Sequence, residues 1–147
     1  MLVNVVSYGG GTNSTAMLIG MNEREIKADL ILFADTGGEK PITYEFMKFV
    51  SNWCDNNYFP IIEVVKRTNR NGEVRQLEQD CIDGEMLPSI AYGFKACSQK
   101  YKRDPQNKFC NHNRLCVAEW AVGRKVKKFI GYDADESHRA HIESDEK

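Results

Sequence analysis

The run Ser7-Tyr8-Gly9-Gly10-Gly11-Thr12-Asn13-Ser14 constrains the fold more than any other stretch of the chain. It follows a short β-branched segment, Leu2 to Val6, and precedes Thr15 to Met21, where Met17, Leu18 and Met21 keep helical spacing. Strand, glycine loop and helix in that order make the first half of a β–α unit. Consecutive glycines are costly to order, and here they leave backbone N–H groups open to a ligand. Amides at a helix N-terminus, reached through glycine, form a phosphate site. Two named phosphate loops do not fit. The Walker pattern needs a Lys-Ser or Lys-Thr pair after its second Gly, which is absent. The dinucleotide fingerprint, counted from Gly9, meets Ser14 where its last glycine should stand. What remains is a cradle of Gly9, Gly10, Gly11, Thr12 and Asn13 with Ser14, and also Ser7, as hydroxyl donors. The alternative is a glycine turn that closes a β–α unit without a ligand.

The alternation continues. Asp29 to Ala34 is a continuous apolar run, which suits a strand buried on both faces. Pro41 suits a first helical turn, and Tyr44, Met47, Phe49, Val50 and Trp53 keep roughly helical spacing to about Asn56. Ile61 to Val65 reads as a third strand. Asn69 to Gly72 reads as a turn, and Leu87 to Lys95 has little periodicity. Arg114 to Val122 reads as a helix with Leu115, Ala118 and Val122 on one face, ended by Gly123. Lys127 to Tyr132 is a fourth strand. Strands joined by helices pair in parallel through right-handed crossovers. The expectation is one α/β domain over residues 1–147, an open parallel sheet with helices on both faces. Its strands lie near 2–7, 29–34, 61–65 and 127–132, in the order 3-2-1-4.

Composition narrows the class. Hydrophobic residues are 41% and charged residues 28%, a globular mix. With 20 Lys and Arg against 21 Asp and Glu, the net charge is −1, so no basic excess points to nucleic acid, although a local patch stays open. Five cysteines cannot pair completely within the chain. With no secretory leader at the start, they suggest a reducing, cytoplasmic compartment. No apolar run approaches the roughly 20 residues of a membrane span.

Four segments, in order along the chain, resemble one family. Gly10-Gly11-Thr12-Asn13-Ser14 is similar to the Gly-Gly-x-Asp-Ser core of the pyrophosphatase loop in N-type ATP pyrophosphatases, with Asn13 in place of Asp. Asp35-Thr36-Gly37-Gly38-Glu39-Lys40-Pro41-Ile42-Thr43-Tyr44 is similar to Asp-Thr-Gly-x-Glu-x-Pro-x-Thr-Tyr of the phosphoadenylylsulfate (PAPS) reductase-like branch. The stretch from Cys97 to Pro105 resembles its Cys-x-x-x-x-Lys-x-x-Pro block, and Gly131 to Arg139 resembles its Gly-x-x-Ala-x-Glu-Ser-x-x-Arg block. The glycine-rich loop looks most like phage members of the branch. The resemblance implies an adenine nucleotide alpha-hydrolase-like fold, ATP or a related adenine nucleotide as ligand, and Mg²⁺.

The resemblance also implies roles. Asp35, Thr36 and Gly37 would line the adenosine wall, with Asp35 a ribose or metal partner; a turn or N-cap Asp is the alternative. Glu39 would steady the next helix rather than do chemistry. Asp133 and Asp135, with Glu136, would hold Mg²⁺ on a triphosphate, against a plain solvated acidic loop. Arg139 would clamp phosphate or sulfate, with Lys102 and Arg103 as further cations. Asn13 could cap the helix but gives less to Mg²⁺ than Asp would. Family members usually run on into a Cys-rich C-terminal element. This chain stops at Lys147, which suggests a minimal or truncated member. Cys97 stands where iron–sulfur relatives carry a Cys-Cys pair; without the distal pair, no four-Cys cluster on that plan is expected. Cys110, His112 and Cys116, with Cys97 or Cys81, could supply zinc ligands, against buried structural thiols. His138 and His141 flank Arg139 as shuttle candidates or plain surface histidines. Trp53 and Trp120 read as core.

The leading expectation is therefore an adenine-nucleotide-binding protein that cleaves ATP at the α–β bond and adenylates an unidentified acceptor, in the cytoplasm of a bacterium or phage-infected host. A catalytically inactive binding module and a sulfonucleotide reductase are the rivals. An incomplete sheet edge would suit a homodimer.

Overall fold

A computed structural model describes residues 2–86 and 96–135. The elements run β1 (Asn4–Tyr8), α1 (Thr12–Glu23), β2 (Leu30–Asp35), α2 (Pro41–Asn56), β3 (Ile62–Lys66), α3 (Leu77–Asp83) and α4 (Ala96–Ser98). A π-helical turn (Gln99–Arg103), α5 (Asp104–His112), α6 (Arg114–Ala121) and β4 (Lys127–Ile130) follow. The four strands form an all-parallel sheet in the order β3-β2-β1-β4, as the alternation of strands and helices predicts. Val5 lies beside Leu30 on one side and Lys128 on the other, and Ile31 lies beside Ile62.

Every residue of β2 is buried, because this strand has a neighbour on each side and helices on each face. On one face, α1 and α2 cover Val6, Tyr8, Ile31 and Phe33 with Leu18, Met21, Met47, Val50 and Cys54. On the other, Val3, Val5, Leu30 and Leu32 pack against Cys110 and Cys116. Burying each large side chain stabilises by roughly 1.5–3 kcal/mol before ordering costs. Among the described residues, no helix is long and apolar enough to cross a membrane.

Several sequence expectations move. β1, β2 and β3 end one residue later than predicted, at Tyr8, Asp35 and Lys66, and β4 ends early, at Ile130. α1 starts at Thr12, so Asn13 lies inside its first turn. The N-cap is Gly11, and no side chain caps the helix. In α2 the buried stripe is Met47, Val50 and Cys54, while Phe49 is 66% exposed and stacks on Phe46. Phe49 sits about 100° round the helix from Val50, off the stripe. The face predicted for α6 is also reversed. Leu115, Ala118 and Val122 are exposed, and Cys116 and Glu119 are buried. Glu119 tolerates burial because Arg124 donates two hydrogen bonds to it, each 2.8 Å. Trp53 packs on Phe59 beside the core, but Trp120 is 42% exposed.

The stretch from Cys97 to Pro105 is helical. Pro105 has no N–H to give the carbonyl a turn earlier, and its ring crowds that carbonyl. The local widening to a π-turn over Gln99–Arg103 relieves this crowding.

Candidate functional site

Because all four strands are parallel, their C-terminal ends share one edge of the sheet. Gly9 follows β1, Thr36 follows β2, Arg67 follows β3 and Gly131 follows β4. Open α/β sheets bind ligands at this edge, where the chain order switches sides. Here the switch lies around β1, between β2 and β4.

The loop at the centre is built for backbone contact. Gly10 has φ +73°, a left-handed conformation, and a Cβ there would lie 2.9 Å from Thr43 Cγ2 and 3.2 Å from Phe33 Cε2. Gly11 is extended, with nothing within 4 Å of an added Cβ. The first helical bond runs from Thr15 N–H to the Gly11 carbonyl, at 3.1 Å. The N–H groups of Thr12, Asn13 and Ser14 precede it and have no side-chain cap. The first turn carries no acidic residue, so nothing there opposes an anion. Ser14 is buried, and its hydroxyl donates to the Gly11 carbonyl at 3.1 Å. Offering that proton to a ligand requires rotating the hydroxyl. Thr15 Oγ1 also donates to Gly11 O and lies 3.1 Å from Tyr8 Oη. Ser7 sits within β1, half-buried, before the loop.

Gly131 closes one side. A Cβ there would lie 2.8 Å from Asn13 O, 2.9 Å from Asn13 C and 3.0 Å from Ser14 N. The end of β4 therefore touches the opening peptide of α1. Beyond it, Asp133 and Asp135 are exposed, and neither has an ion-pair partner among the described residues. Glu136, His138, Arg139 and His141 lie outside the described residues.

On the other side, Asp35 is engaged by the turn it opens. Its Oδ1 accepts from Gly37 N–H at 2.9 Å and from Tyr44 Oη–H at 2.7 Å, and its Oδ2 lies 3.3 Å from Lys66 Nζ. Burial alone would raise its carboxyl, but Tyr44, Gly37 and Lys66 together hold it below its ordinary value of 3.8. The hydrogen bond to Asp35 pushes Tyr44 up to about 12. A ribose or metal would have to compete with these partners. Thr36 is buried, donates to Glu39 at 3.3 Å and accepts from Gly38 N–H. Glu39 also pairs with Lys102 at 3.3 Å, so the π-turn delivers Lys102 to the β2 loop. Arg103 is exposed.

Tyr44→Phe is expected to cost about 1–2 kcal/mol near neutral pH by removing a hydrogen bond to a carboxylate. Asp35 titrates lower folded than unfolded. Its contribution is therefore present above pH 3.8 and lost as pH falls through the folded value. The penalty of Tyr44→Phe should accordingly shrink in acid. Urea unfolding of both proteins at neutral pH and near pH 3 checks this, and a penalty equal at both would refute it.

The cysteines fall into two settings. Cys54, Cys110 and Cys116 are buried. Burial pushes Cys54 up to about 11 and Cys110 above its ordinary value; burial and the Cys110 thiol push Cys116 up to about 12. Cys81 and Cys97 instead line a pocket beside α3 and the π-turn. His112 is exposed, and its Nδ1–H donates to the Lys108 carbonyl at 2.8 Å. Among the described residues, no three His, Cys, Asp or Glu side chains converge as a metal group. The four-ligand zinc option is therefore not assembled there.

Sequence reasoning missed the contact of Gly131 with Asn13 and Ser14, although a glycine at a strand end is the ordinary sign of close backbone approach. Comparison of the chain with protein-family models, curated proteins and solved structures gave no match.

Proposed function

We propose that the chain binds an adenine nucleotide at the glycine loop, on the sheet edge where the ends of β1 and β4 meet, as a PAPS reductase-like member of the N-type ATP pyrophosphatase superfamily acting in a cytoplasmic setting. The observation that carries this is the uncapped start of α1, open through Gly9 and Gly11 and free of acidic residues. Those amides would hold the leaving pyrophosphate, where charge develops as the α–β bond breaks. An oxygen nucleophile of the acceptor would attack the α-phosphate, giving an adenylated acceptor and pyrophosphate. Mg²⁺, when bound, would offset phosphate charge. Asp133 and Asp135 suit it as exposed carboxylates, since Mg²⁺ usually takes one or two carboxylates together with substrate phosphates. Lys102, at the Glu39 end, would meet the far side of the ligand.

A binding module is the second reading. It is favoured by Asn13 in place of a loop carboxylate and by the engagement of Asp35 within its turn.

Pyrophosphate release from ATP, with and without Mg²⁺, separates the two. The enzyme reading expects Mg²⁺-dependent release that falls sharply in Asp133→Asn/Asp135→Asn. Metal-independent nucleotide binding, unaffected by that double change and without turnover, leaves the module. Sulfite release from PAPS with a thiol reductant would instead indicate a reductase.

A further inference from the structure

A second pocket of about 400 Å³ lies beyond the end of β3, apart from the glycine loop. A tight antiparallel turn shapes it. Arg75 N–H donates to the Arg67 carbonyl at 2.8 Å, Asn69 N–H donates to Glu73 O, and Thr68 bridges Val74. Arg67 and Arg75 therefore stand opposite each other on the turn, and both line the pocket with Lys100. Among the described residues of the lining, the acidic one is Asp80, and it is already committed. It accepts from Tyr101 Oη–H and from Arg75 Nε–H, the latter at 2.7 Å, and lies 4.0 Å from Lys100 Nζ. Arg75 also reaches Asp83 at 3.6 Å, at the half-exposed rim.

Arg67 is the unexplained member. Its guanidinium lies over the Tyr101 ring, 5.0 Å from the centroid, and its Nε is buried with no hydrogen-bond partner. A buried guanidinium donor left unpaired is costly. Stacking on Tyr101, itself buried, holds the fork in place for a ligand. Three cations, Arg67, Arg75 and Lys100, stand against Asp80 and the rim carboxylate Asp83, which leaves a net positive charge to meet an anion. The volume exceeds what a bare oxyanion fills, and Leu77 and Met86 supply apolar wall.

We propose that this pocket binds the phosphate monoester group of a small organic molecule. Arg67 and Lys100 take the dianion, Arg75 is held in place by Asp80, and the organic part packs on Leu77 and Met86. Arg67 suits this task because its planar fork matches a tetrahedral oxyanion bidentately. The site is separate from the glycine loop and does not rest on the nucleotide reading.

The test uses the full ¹⁵N-labelled chain, following arginine Nε–Hε resonances by NMR. Inorganic phosphate is the probe, at a pH where it is mostly dianionic, with sodium chloride at matched ionic strength as control. The Arg67 resonance, assigned through Arg67→Lys, should shift saturably with phosphate and not with chloride. Phosphate affinity, read in the Arg67 variants from the Arg75 Nε–Hε resonance, should fall by about ten-fold or more in Arg67→Gln. Arg67→Lys keeps the charge but loses the fork, and should fall between. Gly11→Val, which alters only the loop, should leave the titration unchanged. A shift that is linear, equal with chloride, unaltered by Arg67→Gln or abolished by Gly11→Val would overturn the proposal. The parent titration stands alone should Arg67→Gln fail to fold.

Discussion

Gly10→Val is expected to destabilise the fold by about 2–5 kcal/mol, whereas Gly11→Val is expected to cost about 1 kcal/mol or less and still lose nucleotide binding. The two glycines are neighbours, but they do different work. At Gly10 the φ of +73° charges a β-branched residue roughly 1–2 kcal/mol, because its Cβ crowds the backbone. The added carbon would also meet Thr43 Cγ2 at 2.9 Å and Phe33 Cε2 at 3.2 Å. Phe33 is 2% exposed, in the core under α1 and α2, and cannot move aside freely. Overpacking of that kind typically adds 1–3 kcal/mol. Loss of ligand in Gly10→Val would therefore be confounded with loss of structure. At Gly11 the backbone is extended and a Cβ meets nothing within 4 Å. The cost there is that of a poorer N-cap. A valine at Gly11 would set its branched side chain in the open space before the helix start, and ATP affinity should drop about ten-fold or more. Urea unfolding and calorimetric ATP titration of both variants decide the matter. A Gly11→Val protein that is stable and binds ATP like the parent would remove the loop as the site.

The contrast shows which parts of the molecule were legible before any coordinates. β2 was readable because a strand with neighbours on both sides and helices on both faces has to be apolar at nearly every position, and Leu30 to Ala34 is. The loop was readable as the connection between β1 and α1, because consecutive glycines suit a turn with a left-handed position, as at Gly10. The order β3-β2-β1-β4 followed from helix-linked strands. Features set by tertiary pairing stayed hidden. Glu119 is buried where Arg124 pairs with it, and α6 turns Cys116 to the core while Leu115 and Val122 stay in solvent, a choice its apolar pattern does not announce. The π-turn depends on how the chain absorbs Pro105 within one helix, and nothing in residue spacing separates that from a helix start. Lys102 could be named as a cation, but its place beside Glu39 comes from the turn. Arg67 carried no local signal at all. Its standing depends on Tyr101, Arg75 and an acid from α3 meeting behind the end of β3.

Gly131→Ala is the sharper test of the proposed pairing of loop and β4 end, because it adds one methyl group at a point where the three nearest atoms are all backbone. The added Cβ would lie 2.8 Å from Asn13 O, 2.9 Å from Asn13 C and 3.0 Å from Ser14 N. No flexible side chain can yield there, so either α1 or the end of β4 must shift. The two differ in what anchors them. α1 is held by Leu18 and Met21 in the core, whereas β4 is a four-residue edge strand with Lys127, Lys128 and Ile130 exposed. The strand end should give way, at roughly 1–3 kcal/mol. On the proposed reading, its movement would disturb the placing of Asp133 and Asp135 relative to the loop amides while leaving the loop intact. Gly131→Ala should therefore retain part of its ATP affinity without Mg²⁺ and lose the gain that Mg²⁺ confers on the parent. Gly9→Ala is the matched control for stability, since its Cβ would meet only Ser14 Oγ at 3.8 Å. Urea unfolding and ATP titration with and without Mg²⁺ on both variants give the answer. If Gly131→Ala were as stable as the parent and kept its full Mg²⁺ dependence, the two strand ends would not close on one ligand. The acidic segment would then have no part in the phosphate site, and nucleotide binding would rest on the loop alone.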